Sequence, residues 1–240
     1  MNKHQHFIII GAQRSGTTLL YELMDRHPEV CMARPVRPEP KYFLNEQVSK
    51  EEYLSGYFTH RLSSHRFLGE KSTSYYEFPE VAHRIHAVLP DVKLIFLARN
   101  PVDRALSNYF FSVQHSIETR TLKQVFLERK PPPLIKQTLS VNPFDYLKRG
   151  DYAALLKPYD ERFGNRLKPV LFEYLINGRA TGELNEFLDL EISIDLSGQI
   201  INASDRDHVP DEVIDHLTSY YRPKVEALEE QWNIDLNLWK

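Results

Sequence analysis

The chain has 240 residues, 42% of them apolar, enough for one sizeable core or one core with a small appendage. Its formal charge of −3 excludes the global basic field of a non-specific nucleic-acid binder, so any anion must be held by a local cluster of positive groups. The single cysteine, Cys31, excludes an intrachain disulfide and suits a reducing compartment.

The start, MNKHQHF, lacks the long apolar stretch of a signal peptide or membrane span, so a soluble cytoplasmic protein is expected. Phe7 to Ile10 is a short apolar, β-branched run that reads as a buried parallel strand. A glycine turn follows. Leu19, Leu20, Leu23 and Met24 then recur at helical spacing until Pro28. Cys31 reads as a small buried side chain at a strand end.

Beyond the proline-rich ARPVRPEPKYF, the pattern predicts a helix near Glu51 to Phe58, a short strand ending at Glu70 and a helix from Val81 to Leu89. Leu94 to Ala98 is a second buried strand. Pro101 then opens a helix whose apolar face carries Val102, Ala105, Leu106, Tyr109 and Phe110. Leu122 to Leu127 reads as helical, and the aperiodic section from Pro131 to Pro143 as a loop or lid. Further helices are expected over Asp151 to Phe163 and Glu183 to Leu188, with a strand over Pro169 to Phe172 between them. A last helix, Asp211 to Trp232, turns Leu217, Tyr221 and Leu228 inward. Alternating strands and helices predict a single α/β domain over 1–240 with a mostly parallel sheet, in which 112–149 is a substrate-side insert or lid.

Ligands in such sheets bind at the carboxyl ends of the strands, where two turns stand out. The first, GAQRSGTT, brackets four residues between Gly11 and Gly16 and leads into a helix. Its backbone N–H groups and the helix dipole suit an anion, with hydroxyls from Thr17 and Thr18 and a guanidinium from Arg14. A nucleoside-triphosphate site would place a lysine where Thr17 stands, and an aspartate for magnesium at another strand end. The other strand ends in Arg99 instead. A positive charge in that place disfavours a P-loop kinase and suits a second anionic group bound without metal. Ser107, eight residues beyond Arg99, could bring a hydroxyl to the same anion.

These residues resemble the sulfotransferases that use 3′-phosphoadenosine 5′-phosphosulfate (PAPS), with a P-loop NTPase-like fold. The loop is similar to that family's [KR]-S-G-T-T motif at Gln13, Arg14, Ser15, Gly16, Thr17 and Thr18, which implies binding of the 5′-phosphosulfate. LARNPVDRALSNY is similar to the arginine-and-serine motif for the 3′-phosphate, implying Arg99 and Ser107. PEPKYF resembles K-E-P-x-F-F of the heparan-sulfate-type branch and its bacterial relatives, placing a catalytic base at Glu39. GEKSTSYY resembles E-K-[ST]-x-x-Y, placing an active-site lysine at Lys71. The resemblance implies sulfuryl transfer to a hydroxyl of a small-molecule, sugar or lipid acceptor, without metal.

The sequence departs from the pattern in carrying Arg14 for the more usual lysine and Pro38 before Glu39. It also lacks a late glycine- and lysine-rich loop, and Arg206 receives no role. Glu70 is the second candidate base, and His65, His83, His86 and His115 are rivals. His83 and His86, three apart on a helix, have no third ligand in sight and read as surface histidines. A non-catalytic nucleotide-phosphate-binding protein is the reading from another class. Oligomeric state is not legible.

Overall fold

In the computed structural model of the protein, residues 4–134, 140–192 and 209–239 are described. The elements run β1 (Gln5–Gly11), α1 (Thr17–Asp25), β2 (Val30–Met32), α2 (Lys50–Tyr57), β3 (Phe67–Lys71), α3 (Pro79–Val88), β4 (Lys93–Ala98), α4 (Pro101–Gln114) and α5 (Leu122–Phe126). After these come α6 (Tyr152–Phe163), β5 (Leu167–Leu171), α7 (Phe172–Ile176), α8 (Ala180–Leu188) and α9 (Asp211–Trp232). The expected alternation is thus present, and the three-residue β2 and the short α7 are additions that no periodicity announced. Cys31 is buried in the middle of β2, not at a strand end. Its Sγ lies 3.3 Å from His60 Nε2, and burial pushes the thiol pKa up.

Two compact units share the chain, one within Met1–Arg99 and Leu155–Gln199, the other within Asn100–Ala154 and Ile200–Lys240. The first holds the five-stranded sheet, all parallel, in the order β2-β3-β1-β4-β5. Strand β1 therefore pairs with β3 on one side and β4 on the other. After β3 the chain crosses to the opposite side of β1, which makes β1 a topological switch point.

Period-two alternation decides what each sheet face carries. Phe7, Ile9, Phe67, Ile95, Leu97 and Val170 pack with Leu20, Tyr21 and Met24 of α1 and with Leu175, Leu184 and Leu188 of α7 and α8. From the opposite parity of β3, Glu70 reaches the hydroxyls of Tyr53 on α2 and Tyr75. Lys71, one residue later, belongs to the parity of Phe67 and lies 5.9 Å from the Tyr21 ring of α1.

In the second unit, Asn100 caps α4 by accepting a bond from Val102 N–H at 3.0 Å, with Pro101 in the first turn, as the Asn-Pro pair leads one to expect. Val102, Ala105, Leu106 and Tyr109 are buried. Phe110 is not: it is 38% exposed, because it stands about 100° around the helix from Tyr109, at the edge of the stripe. Asn108 and Arg104 are buried in its place. In α9, Leu217, Tyr221 and Leu228 are buried, as the pattern requires.

Gly69 shows how closely the first core is filled. A Cβ there would stand 2.3 Å from Phe7 Cζ and 2.4 Å from Met32 Sδ. Gly69→Ala should therefore lower stability by about 1–3 kcal/mol, the usual cost of overpacking. Chemical denaturation checks this; an unchanged midpoint would show that Phe7 and Met32 yield freely.

Candidate functional site

Three strand ends meet at one edge of the sheet because the register puts them there. Ile9 of β1 stands beside Lys71 of β3, and Gly11 beside Phe96 of β4. Beyond the ladder, Ser72 N–H donates to Ile9 O at 3.0 Å and Ala12 N–H to Leu97 O at 2.9 Å. Neighbouring strands lie about 5 Å apart, so the loop after Gly11, Lys71 and Arg99 share one edge.

The loop curls back through two left-handed residues, Arg14 at φ 68° and Gly16 at φ 80°. Gly16 is also pressed against Phe172, where a Cβ would meet the ring at 2.5 Å, so position 16 is closed to any other residue on two counts. Helix α1 starts at Thr17 with no side-chain cap and no acidic residue in its first turn. Gln13 Nε2 donates to Glu77 Oε1 at 3.3 Å. Thr17 is buried at the helix start, and Thr18 is exposed. Ser15 is fully buried, and its Oγ has no hydrogen-bond partner. Such a hydroxyl costs stability unless an incoming acceptor satisfies it.

Arg99 Nη1 donates to Arg14 O at 3.1 Å, and its guanidinium lies 5.0 Å above the Phe172 ring. The crowding of protein around Arg14, and then the Arg99 charge beside it, lower the Arg14 pKa. Like charges brought together at a strand edge and a helix N-terminus form a place an anion stabilises. A phosphate-bearing ligand therefore fits the residues present. Ser107 lies half-buried on α4, in the second unit, whereas Arg99 closes the first.

At the end of β3, Glu39 and Lys71 form an ion pair of 2.8 Å, both largely shielded from solvent. Glu39 also accepts from Thr73 N–H at 3.0 Å and from Thr73 Oγ1, at 3.1 Å to one oxygen and 3.0 Å to the other. A carboxylate offers about four lone-pair directions. Two contacts fall on each oxygen, Lys71 and the Thr73 hydroxyl on Oε1 and the Thr73 amide and the same hydroxyl on Oε2, and the single hydroxyl proton is shared between the two. Thr73 carries no signal in the sequence beyond its hydroxyl. Its part in holding Glu39 was not legible there, nor was the seat that Phe172 makes for Gly16 and Arg99.

The other candidates stand apart in role. Glu70 is fully buried under three hydroxyls, from Tyr53 at 2.7 Å, Ser72 at 2.6 Å and Tyr75 at 2.6 Å, an arrangement with no opening toward an acceptor. Burial raises its pKa against the lowering effect of those bonds. His65 Nδ1 accepts from Leu62 N–H, His83 Nε2 lies 3.2 Å from Arg162 and His115 packs on Phe111. His86 meets Phe163 edge-on. Among the described residues no cluster of metal-ligating side chains occurs. Arg206 lies outside the described residues.

A parallel sheet with a glycine loop at its switch point, two arginines beside it and Glu39, from a loop, paired with Lys71 of the next strand offers the residue types that suit an anionic ligand and a proton acceptor. Residues 4–157 match the sulfotransferase domain, and the chain belongs to the sulfotransferase family. Human heparan sulfate glucosamine 3-O-sulfotransferase 3B1 is 30% identical over 191 residues, 77% of this chain and 46% of the relative. Membrane-associated sulfotransferase kil1 of Dictyostelium discoideum is 35% identical over 111 residues, 45% of this chain and 23% of the relative. The chain spans less than half the length of these curated relatives. A sulfotransferase from Alicyclobacillus acidocaldarius superposes with a TM-score of 0.74 at 25% identity, covering 99% of both chains. No helix among the described residues is long and apolar enough to cross a membrane.

If the Ser15 hydroxyl, the loop and the two arginines form an anion site, inorganic sulfate or pyrophosphate should raise the thermal midpoint with the logarithm of its concentration once above the dissociation constant. At ten times the dissociation constant the gain is about 1.4 kcal/mol. Arg14→Ala should remove most of it. An equal shift in that variant would move the site elsewhere.

Proposed function

We propose that the protein is a PAPS-dependent sulfotransferase moving a sulfuryl group to a hydroxyl of a small-molecule, sugar or lipid acceptor. The observation that carries this reading is the shared strand edge, where an anion-binding loop with Arg14 and Arg99 lies beside a Glu39–Lys71 pair. In this reading the whole chain, 1–240, works as one sulfotransferase domain, supported by the coverage of the bacterial structure. The lone, buried Cys31 favours a reducing, cytoplasmic setting.

Gln13, Ser15, Gly16, Thr17 and Thr18, with the loop N–H groups, hold the 5′-phosphosulfate end, while Arg99 and Ser107 hold the 3′-phosphate. The bound donor supplies an activated sulfuryl group. Glu39, oriented by Lys71 and Thr73, receives the acceptor hydroxyl's proton at a carboxylate oxygen. The acceptor oxygen then bonds to sulfur in line with the leaving phosphate oxygen, whose bond to sulfur breaks. Arg14 and Lys71 offset negative charge on the transferring oxygens and on the bridging oxygen as it departs. Arg14 does this by charge and hydrogen bonding, since a guanidinium does not readily give up a proton. The human relative's name points to a sugar hydroxyl, whereas the charge of −3 disfavours a long polyanion.

Calorimetry without magnesium should show adenosine 3′,5′-bisphosphate binding about 100-fold tighter than ATP, near 2.7 kcal/mol. Equal affinities would return the triphosphate reading. Glu39→Gln should keep bisphosphate affinity within about twofold and lower kcat by about 10²–10⁴. An unimpaired rate would remove Glu39 as the base.

A further inference from the structure

Glu70 is buried, charged by type and adjacent in sequence to Lys71, yet it takes no part in the mechanism above. The four bonds that converge on one of its oxygens, directly and at one remove, give it a different task. Ser72 Oγ and Tyr75 Oη both donate to Glu70 Oε1, each at 2.6 Å. Both hydroxyls also accept a backbone N–H: Lys41 N–H donates to Ser72 Oγ at 2.9 Å, and Phe43 N–H to Tyr75 Oη at 3.1 Å. Lys41 and Phe43 lie two and four residues beyond Glu39, on the segment that carries it.

We infer that Glu70 is a positioning residue for the Glu39 base: through the Ser72 and Tyr75 hydroxyls its Oε1 fixes the backbone at Lys41 and Phe43, and thereby the approach of Glu39 to Lys71 and Thr73. The inference rests on the reading of Glu39 as the base.

The direction of each relay is chemically determined. A backbone N–H can only donate, so each intervening hydroxyl accepts from it and gives its own single proton to Glu70 Oε1. Both hydroxyls lie 2.6 Å from the same carboxylate oxygen, so the two relays share one anchor. Tyr53 Oη holds the remaining oxygen, Oε2, at 2.7 Å and so fixes the rotation of the carboxylate.

Other bonds restrain the same segment without reaching Glu70. Tyr57 Oη donates to Pro40 O at 3.3 Å, and Arg84 Nη1 donates to Phe43 O at 3.2 Å. Lys41 itself sits at φ 49°, a left-handed conformation that a non-glycine residue holds only when its surroundings impose it. Alternation along β3 then separates the two tasks: Lys71 contacts the carboxylate from one sheet face, and Glu70 steadies the backbone from the other.

The test compares Ser72→Ala, Tyr75→Phe and Glu70→Gln with Glu39→Gln, alone and combined, measuring kcat, KM and bisphosphate affinity. Ser72→Ala and Tyr75→Phe each cut one relay and should lower kcat by about tenfold, the scale of a sub-ångström misplacement, with bisphosphate affinity within about twofold. Combined with Glu39→Gln, either should add almost nothing, since a displaced base that is already absent costs no more. Glu70→Gln retains an oxygen for both relays and a group that can donate to Tyr53. It should keep most of the turnover and the pH profile.

Wild-type kcat in both relay variants overturns the inference while leaving Glu39 as the base, as does a double variant slowed by the product of the single effects. Loss of turnover in Glu70→Gln as deep as in Glu39→Gln would make Glu70 itself the proton acceptor. An unimpaired Glu39→Gln removes the base assignment and the inference together.

Discussion

The pairing of β1 with β3 on one side and β4 on the other is the constraint on which the site depends. Three segments far apart in sequence each end in a residue suited to anion or proton chemistry: the loop after Gly11, Lys71 and Arg99. None binds anything alone. The all-parallel ladder sends every strand's carboxyl end to the same edge, and the crossover at β1 puts its loop between the other two. The sheet's own polar groups are consumed by the ladder up to Ser72 and Ala12, whose N–H groups continue it by one bond each. The backbone released beyond those points is what becomes available to a ligand.

Two electrostatic arrangements then sit side by side. Lys71 is matched by Glu39 at 2.8 Å, in a pair shielded enough to be strong yet still in touch with solvent. Arg99 instead is seated on Phe172 and hydrogen-bonded to the Arg14 backbone, which brings a second positive residue to the loop. The first arrangement keeps a base oriented. The second concentrates positive charge where a phosphate would relieve it. Folding stability is partly withheld at the second site, in the unpartnered Ser15 hydroxyl.

Much of this was legible from local pattern. The strand runs at Phe7 and Leu94, the helix begun by Asn100 and Pro101, and the glycine loop follow from rules acting within a few residues, and each is present. Phe110 failed because periodicity gives a stripe its direction but not its width, and the buried arc turned toward Asn108 instead. The three-residue β2 is too short for any period to register. At the site, residue type and strand-end position singled out Arg14 and Arg99 as candidates, whereas Glu39 and Lys71 came from the resemblance of PEPKYF and GEKSTSYY to family motifs. Thr73 and Phe172 escaped because their roles are contacts across 34 and 73 residues, to Glu39 and Arg99, that no spacing encodes.

Glu70 and Lys71 show why neighbours in sequence should not share a functional label. Read linearly, the Glu-Lys dipeptide offers a base beside its counter-ion, which is how Glu70 came to rival Glu39. A strand, however, turns consecutive side chains to opposite faces, so an acid adjacent in sequence to a lysine is poorly placed to pair with it on the same face. The partner of Lys71 has to come from another segment, and Glu39 arrives from the loop leading to Tyr42. That loop has no ladder of its own to hold it. The carboxylate on the far face, satisfied by hydroxyls that reach around to the loop's backbone, supplies the order that secondary structure does not.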